Sequence, residues 1–134
     1  MAFKKLIYSS RRLNRDAEAL DSILTVSQQN NRRDGITGVL LHDDRRFVQF
    51  LEGDHDALAR CFLRIAMSDA HQDIAVGALA DSEVRLFMGW DMRGISAARA
   101  RPSLGTLWRR VLAEAPEHRL ALFEEALFTL LPMR

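Results

Sequence analysis

The chain has 134 residues, 48% of them hydrophobic, and 19 basic against 18 acidic side chains give a formal charge of +1. That is the size of one ordinary domain with apolar material for a real core, and no global field draws it to nucleic acid or an anionic membrane. No run approaches the roughly 18 apolar residues of a membrane span, MAFKKLIYSS lacks the apolar centre of a signal peptide, and a single cysteine, Cys61, excludes an intrachain disulfide and suits a reducing cytoplasm.

Residues 3–9 predict a first strand, followed by a polar Arg-Arg-Leu-Asn turn. Asn14 or Asp16 can cap a helix that runs to about Asn31, before Asp34 and Gly35 break the chain. ITGVLLH (residues 36–42) and RFVQFLEG (46–53) are apolar runs joined by Asp43, Asp44 and Arg45, a hairpin signal. Asp54 is placed to cap a second helix through about Met67, with Leu58, Phe62 and Ile65 at helical spacing and Cys61 as small core filler. Residues 74–81 and 85–90 predict a fourth and a fifth strand.

The order β-α-β-β-α-β with an added strand is the α+β, ferredoxin-like arrangement, with two helices on one face of a mixed sheet. The strands are apolar at both parities, Val39 and Leu41 against Leu40, so a cover is expected on the second face as well. Two C-terminal amphipathic helices, one from Ser103 and one from Pro116, are the expected cover, which divides the chain into residues 1–93 and a helical extension, 94–134. Arg93, Arg99, Arg101, Arg109 and Arg110 read as a solvated linker and helix face.

Chemistry is signalled where polar residues interrupt apolar stripes. Gln49 stands inside FVQF, where an unpartnered amide would cost roughly 1–3 kcal/mol. Tyr8 shares a strand face with Leu6, and Gln49 shares one with Phe47 and Leu51. On the first helix Ala17, Leu20, Leu24, Ser27 and Asn31 form one face that begins apolar and ends polar, and on the second Arg64 follows Ala57 and Cys61. A phenol, two amides, a hydroxyl and a guanidinium converging on one aliphatic cleft suit a planar, hydrogen-bonding ligand. Taken singly, each has a structural reading too: a Tyr hydroxyl on a backbone carbonyl, Asn31 ending its helix, Ser27 bonded to its own turn.

Tyr8, SQQNN (27–31), ITG (36–38), FVQFLEG (47–53) and FMGWDM (87–92), in this order, together resemble a BLUF domain, a flavin-binding sensor of blue light, over roughly residues 3–93. The resemblance implies Tyr8 as electron and proton donor to the excited flavin and Gln49 as the amide bridging that phenol to the ring. It implies Asn31, with Ser27 nearby, at the ring's polar edge, Arg64 at the ribityl or phosphate tail, and Trp90 and Met92 on the last strand as the signal-transmitting pair. His71 is assigned either to the cofactor's distal part or to a capping position, because Ser68-Asp69-Ala70-His71 lacks the acid followed by Arg-His that the family often carries. FAD is the expected cofactor, with FMN and riboflavin as alternatives. No metal site is expected, since His42, His55 and His118 lack ligand spacing.

The resemblance further implies a non-enzymatic photoreceptor, homo-oligomeric and acting in trans on a protein partner. The competing reading is a metabolite-binding module or a small acyl-phosphate hydrolase, which needs an anion-cradling loop at Ser9-Ser10-Arg11-Arg12 and leaves Gln49 unexplained.

Overall fold

The computed structural model describes residues 3–83, 85 and 87–96. Along the chain these form β1 (Phe3–Arg12), α1 (Ala17–Asp34), β2 (Thr37–His42), β3 (Arg46–Gly53), α2 (His55–Ala66), β4 (His71–Ser82) and β5 (Arg93–Ser96). The sheet order is β4-β1-β3-β2-β5; β5 runs parallel to β2 and every other neighbouring pair is antiparallel. This is the expected α+β ferredoxin-like arrangement. Both helices pack on one face, where Leu20, Ile23 and Leu24 of α1 and Ala57, Leu58, Cys61 and Phe62 of α2 meet Leu6, Tyr8, Leu40, Phe47 and Leu51.

Helix α1 begins after Asp16, whose backbone is extended, and ends at Gly35, where φ of 70° is the left-handed turn that glycine adopts without strain. It runs three residues past the expected end at Asn31, because the glycine and not the polar SQQNN run stops it. Arg32 and Arg33 lie in its last turn, where cations face the negative end of the helix dipole.

The glycine of ITG has a packing reason. A Cβ on Gly38 would strike the Phe50 carbonyl of β3, and its own N–H donates to Trp90 O at 2.9 Å. Gly38→Ala is therefore expected to lower stability by about 1–3 kcal/mol, read as a drop in the thermal midpoint, because backbone and not a flexible side chain must move.

The second sheet face is closed to solvent too. Ile7, Val39, Leu41, Val48 and Phe50 are all buried there, and the Phe87 ring meets Phe50 edge-on at 5.2 Å. The helices expected from Ser103 and Pro116 lie outside the described residues.

β1 runs on through Arg11 and Arg12, expected as a turn, because both pair with β4, which itself starts at His71 and not at residue 74. The largest departure from expectation is the fifth strand, which is Arg93–Ser96 and not residues 85–90. Trp90 N–H donates to Phe87 O at 3.0 Å and Gly89 has φ of 89°, so the aromatic-rich stretch closes a turn. Consequently Trp90 and Met92 precede the last strand instead of lying on it. The strand forms only after this stretch has crossed the free edge of β2, pairing Val39 with Arg93 and Leu41 with Ile95.

Candidate functional site

Pairing across three strands sets the centre of the site. Tyr8 of β1 stands opposite Gln49 of β3, which stands opposite Leu40 of β2, all on the helix-facing side. The Tyr8 hydroxyl donates to Gln49 Oε1, and Gln49 Nε2 donates to Met92 Sδ at 3.2 Å. All three residues are buried, exposed by 2%, 5% and 2%. The partner that the buried amide requires is thus found twice over. A thioether is a weak acceptor, so the bond to Met92 is the easier one to exchange. Among the described residues Nε2 makes one bond, to Met92.

Beside this row lies a cavity of about 270 Å³ under the helices. Tyr8, Ser27, Asn31, Gln49, Arg64 and His71 all line it, together with Ile23, Leu40, Phe47, Cys61 and Ile65. Six of the eight residues expected in the site therefore converge. Trp90 stacks on Phe87 at 5.5 Å and carries the Arg93 guanidinium at 4.6 Å, whereas Met92 reaches the site through Gln49.

Asn31 is fixed rather than free. Its Nδ2 donates to Asp91 O at 2.7 Å, and the Cys61 thiol approaches its Oδ1 at 3.8 Å. Arg64 sits at the edge, where Nη2 donates to Asp34 Oδ2 at 3.0 Å. Bonding from Arg33 first, then from Arg64, holds the Asp34 carboxyl below the usual carboxylate range against its own desolvation. His71 Nε2–H donates to Ile65 O at 2.9 Å, which makes Nδ1 the acceptor for the Ser10 hydroxyl. With both nitrogens engaged, His71 offers the cavity its ring.

Burial, with Cys61 adding to it, pushes the Tyr8 phenol far above its ordinary value. Burial likewise raises the Cys61 thiol, with Arg64 opposing and Asp34 adding. The cavity wall therefore presents a neutral phenol and a neutral thiol. Neutral, directional donors and acceptors amid aliphatic side chains fit a planar heteroaromatic ring such as isoalloxazine, and the guanidinium at the edge fits an anionic tail.

Two further groups act here that sequence spacing did not single out. Gln28 Nε2 donates to Met92 O at 2.9 Å, and Arg32 pairs with the Asp91 carboxylate at 2.9 Å. Gln28 belongs to SQQNN; its role lies in holding the backbone next to Met92.

The anion loop of the competing reading does not form. Residues 9–12 are the end of β1; the Arg12 guanidinium donates to the carbonyls of Asn14 and Asp43 at 2.7 and 3.0 Å, and Arg11 pairs with Asp73 at 3.0 Å. No helix among the described residues is long and apolar enough to cross a membrane.

Fold and cavity define a small α+β module that can grip a planar ring beside a phenol and an amide. The profile of BLUF, sensors of blue-light using FAD, matches residues 3–93. The chain belongs to the BLUF family, whose domains bind flavin. It is 35% identical over 68 residues to the photoactivated adenylate cyclase subunit beta of Euglena gracilis, 51% of this chain but 8% of that protein. The chain thus spans under a tenth of this curated relative. Among solved structures, the dark state of BlrB, a BLUF protein, superposes with a TM-score of 0.80 at 30% identity, covering 95% of this chain and 96% of that one. A bacterial light-regulated adenylyl cyclase gives 0.70 at 29% identity, with 89% of this chain and 35% of that one covered.

Proposed function

We propose that the protein is a blue-light photoreceptor in which Tyr8 and Gln49 form the switch and Met92 reads it. The observation that carries this reading is the unbroken row from the Tyr8 hydroxyl through the Gln49 amide to Met92 Sδ along one cavity wall. When bound, the light-excited flavin supplies a strong oxidant. Tyr8 gives up an electron and, because its neutral phenol is aimed at Gln49 Oε1, its proton leaves along that bond. On return of both, the Gln49 amide is left with its bonds exchanged, and the weak bond to Met92 is the first to go. Ser27 and Asn31 would hold the ring's polar edge, Arg64, steadied by Asp34, would contact the tail, and the His71 ring would close the distal side. FAD is the favoured flavin, with FMN or riboflavin satisfying the ring site equally.

Dark and lit arrangements of the amide are two states whose populations light shifts. Their difference reaches the backbone at residues 91 and 92, which Asn31 and Gln28 hold, and thence β5 and the extension of residues 94–134. The match over nearly the whole of BlrB, a BLUF protein, supports the sensor reading; we extend it to a sensor that acts as an oligomer on a separate protein in the cytoplasm, without catalysis of its own. The test is the absorption spectrum of protein purified in the dark and then lit with blue light. A flavin spectrum moving reversibly to longer wavelength is expected. Bound flavin with a fixed spectrum, or none at all, would overturn the reading.

A further inference from the structure

Period 2 along β3 puts Glu52 on the sheet face opposite Gln49, three residues away. Glu52 is fully buried. Its Oε1 accepts the Thr37 hydroxyl at 2.8 Å, from the residue directly opposite on β2, and the backbone N–H of Phe87 at 2.7 Å. A buried carboxyl oxygen accepting two such donors holds them in place, because breaking either bond leaves a buried polar group unpaired. Phe87 is itself fixed by its ring against Phe50.

Residues 87–92 therefore form a strap gripped on both faces of one sheet. One end is held on the second face by Glu52 and Phe50. The middle crosses the edge of β2, where Gly38 N–H donates to Trp90 O. The other end is held on the helix face by Gln49, Gln28 and Asn31. The strap is short and tied at three points. Motion at Met92 has to be taken up along it, and only a fixed far end turns that motion into a displacement rather than slack.

Resting on the switch proposed above, we infer that Glu52 is a positioning residue for signalling: it anchors Phe87 so that a bond exchanged at Gln49 and Met92 is delivered round the sheet edge to the opposite face. Glu52 touches no part of the cavity, so the light-induced flavin shift itself does not depend on it.

The test is amide hydrogen exchange at Phe87 and Met92, in the dark and under steady blue light, alongside the flavin spectrum. In the wild-type protein, illumination should change exchange at both amides. In Glu52→Met the flavin shift stays, dark exchange at Phe87 is about tenfold faster, and the light response persists at Met92 but vanishes at Phe87. Glu52→Gln, which keeps a carbonyl acceptor, restores it. A merely structural carboxylate would loosen Phe87 equally in dark and light and leave the response in place, and that result overturns the inference. So does a wild-type Phe87 amide indifferent to light while the flavin shifts. If Glu52→Met yields no folded, flavin-bound protein, Thr37→Val decides: loss of the hydroxyl that orients the carboxylate should shrink the Phe87 response, and an unchanged response overturns the inference. A wild-type protein without a reversible flavin shift instead overturns the photoreceptor reading on which this rests.

Discussion

Gln49→Leu is expected to bind flavin and to lose the light-induced spectral shift completely. Leucine has nearly the volume of glutamine, and the site is apolar on three sides, with Leu40, Phe47 and Leu51 around it. The cavity therefore keeps its shape and its remaining polar wall at Ser27, Asn31 and Arg64. What disappears is the acceptor of the Tyr8 proton and the donor to Met92. The Tyr8 hydroxyl, left buried without that acceptor, costs about 1–3 kcal/mol, partly offset by the apolar replacement. Flavin content after gel filtration and the light-minus-dark absorption spectrum check this directly. A reversible shift of wild-type size in this variant would show that some group other than the amide carries the switch.

Tyr8→Phe should give an equally complete loss for a different reason. The ring still fills its place against Phe62, 5.8 Å away, but phenylalanine offers neither an accessible electron nor a proton. The stability cost is about 1 kcal/mol for one neutral hydrogen bond, and flavin binding should persist. The phenol also leaves a pH signature. Burial raises its folded value above the roughly 10 of an unfolded chain. Its contribution is complete below that pH and falls as pH rises beyond it, since the unfolded chain then releases a proton that the folded one retains. Thermal midpoints measured from pH 8 to 11 should drop more steeply for the wild type than for Tyr8→Phe. Because Tyr8 is the chain's sole tyrosine, the phenol titration can be read without interference. Equal slopes, or a phenol that ionises near pH 10 in the folded protein, would contradict the burial on which coupled electron and proton loss depends.

The cavity was legible from spacing because both periodicities act there at once. Alternation along β1 and β3 aims Tyr8 and Gln49 at the helices, and helical spacing aims Ser27, Asn31 and Arg64 back at them. Every one of these residues is a polar interruption of an apolar stripe, and burial forces such groups together. The fifth strand was not legible. FMGW has the aromatic and apolar content of a strand, yet Gly89 turns it and Phe87 takes its acceptor from a side chain on β3. Propensity yields here to a tertiary hydrogen bond. Glu52 meets the same criterion as Gln49, a polar group inside an apolar run, but besides the Thr37 hydroxyl it accepts from a backbone N–H 35 residues away, and no spacing rule marks a backbone group. Gln28 is similar, bonded to the Met92 carbonyl and hidden among four other polar residues of SQQNN.

In the proposed switch, light exchanges the bonds of one amide and Met92 feels it. The most direct measurement is nuclear magnetic resonance of the Gln49 side-chain amide and the Met92 methyl group, in the dark and under steady blue illumination of the flavin-bound protein. Both signals should move on illumination and return together at the rate at which the flavin spectrum recovers. A flavin spectrum that shifts and recovers while the Gln49 amide and the Met92 methyl stay where they were would contradict it.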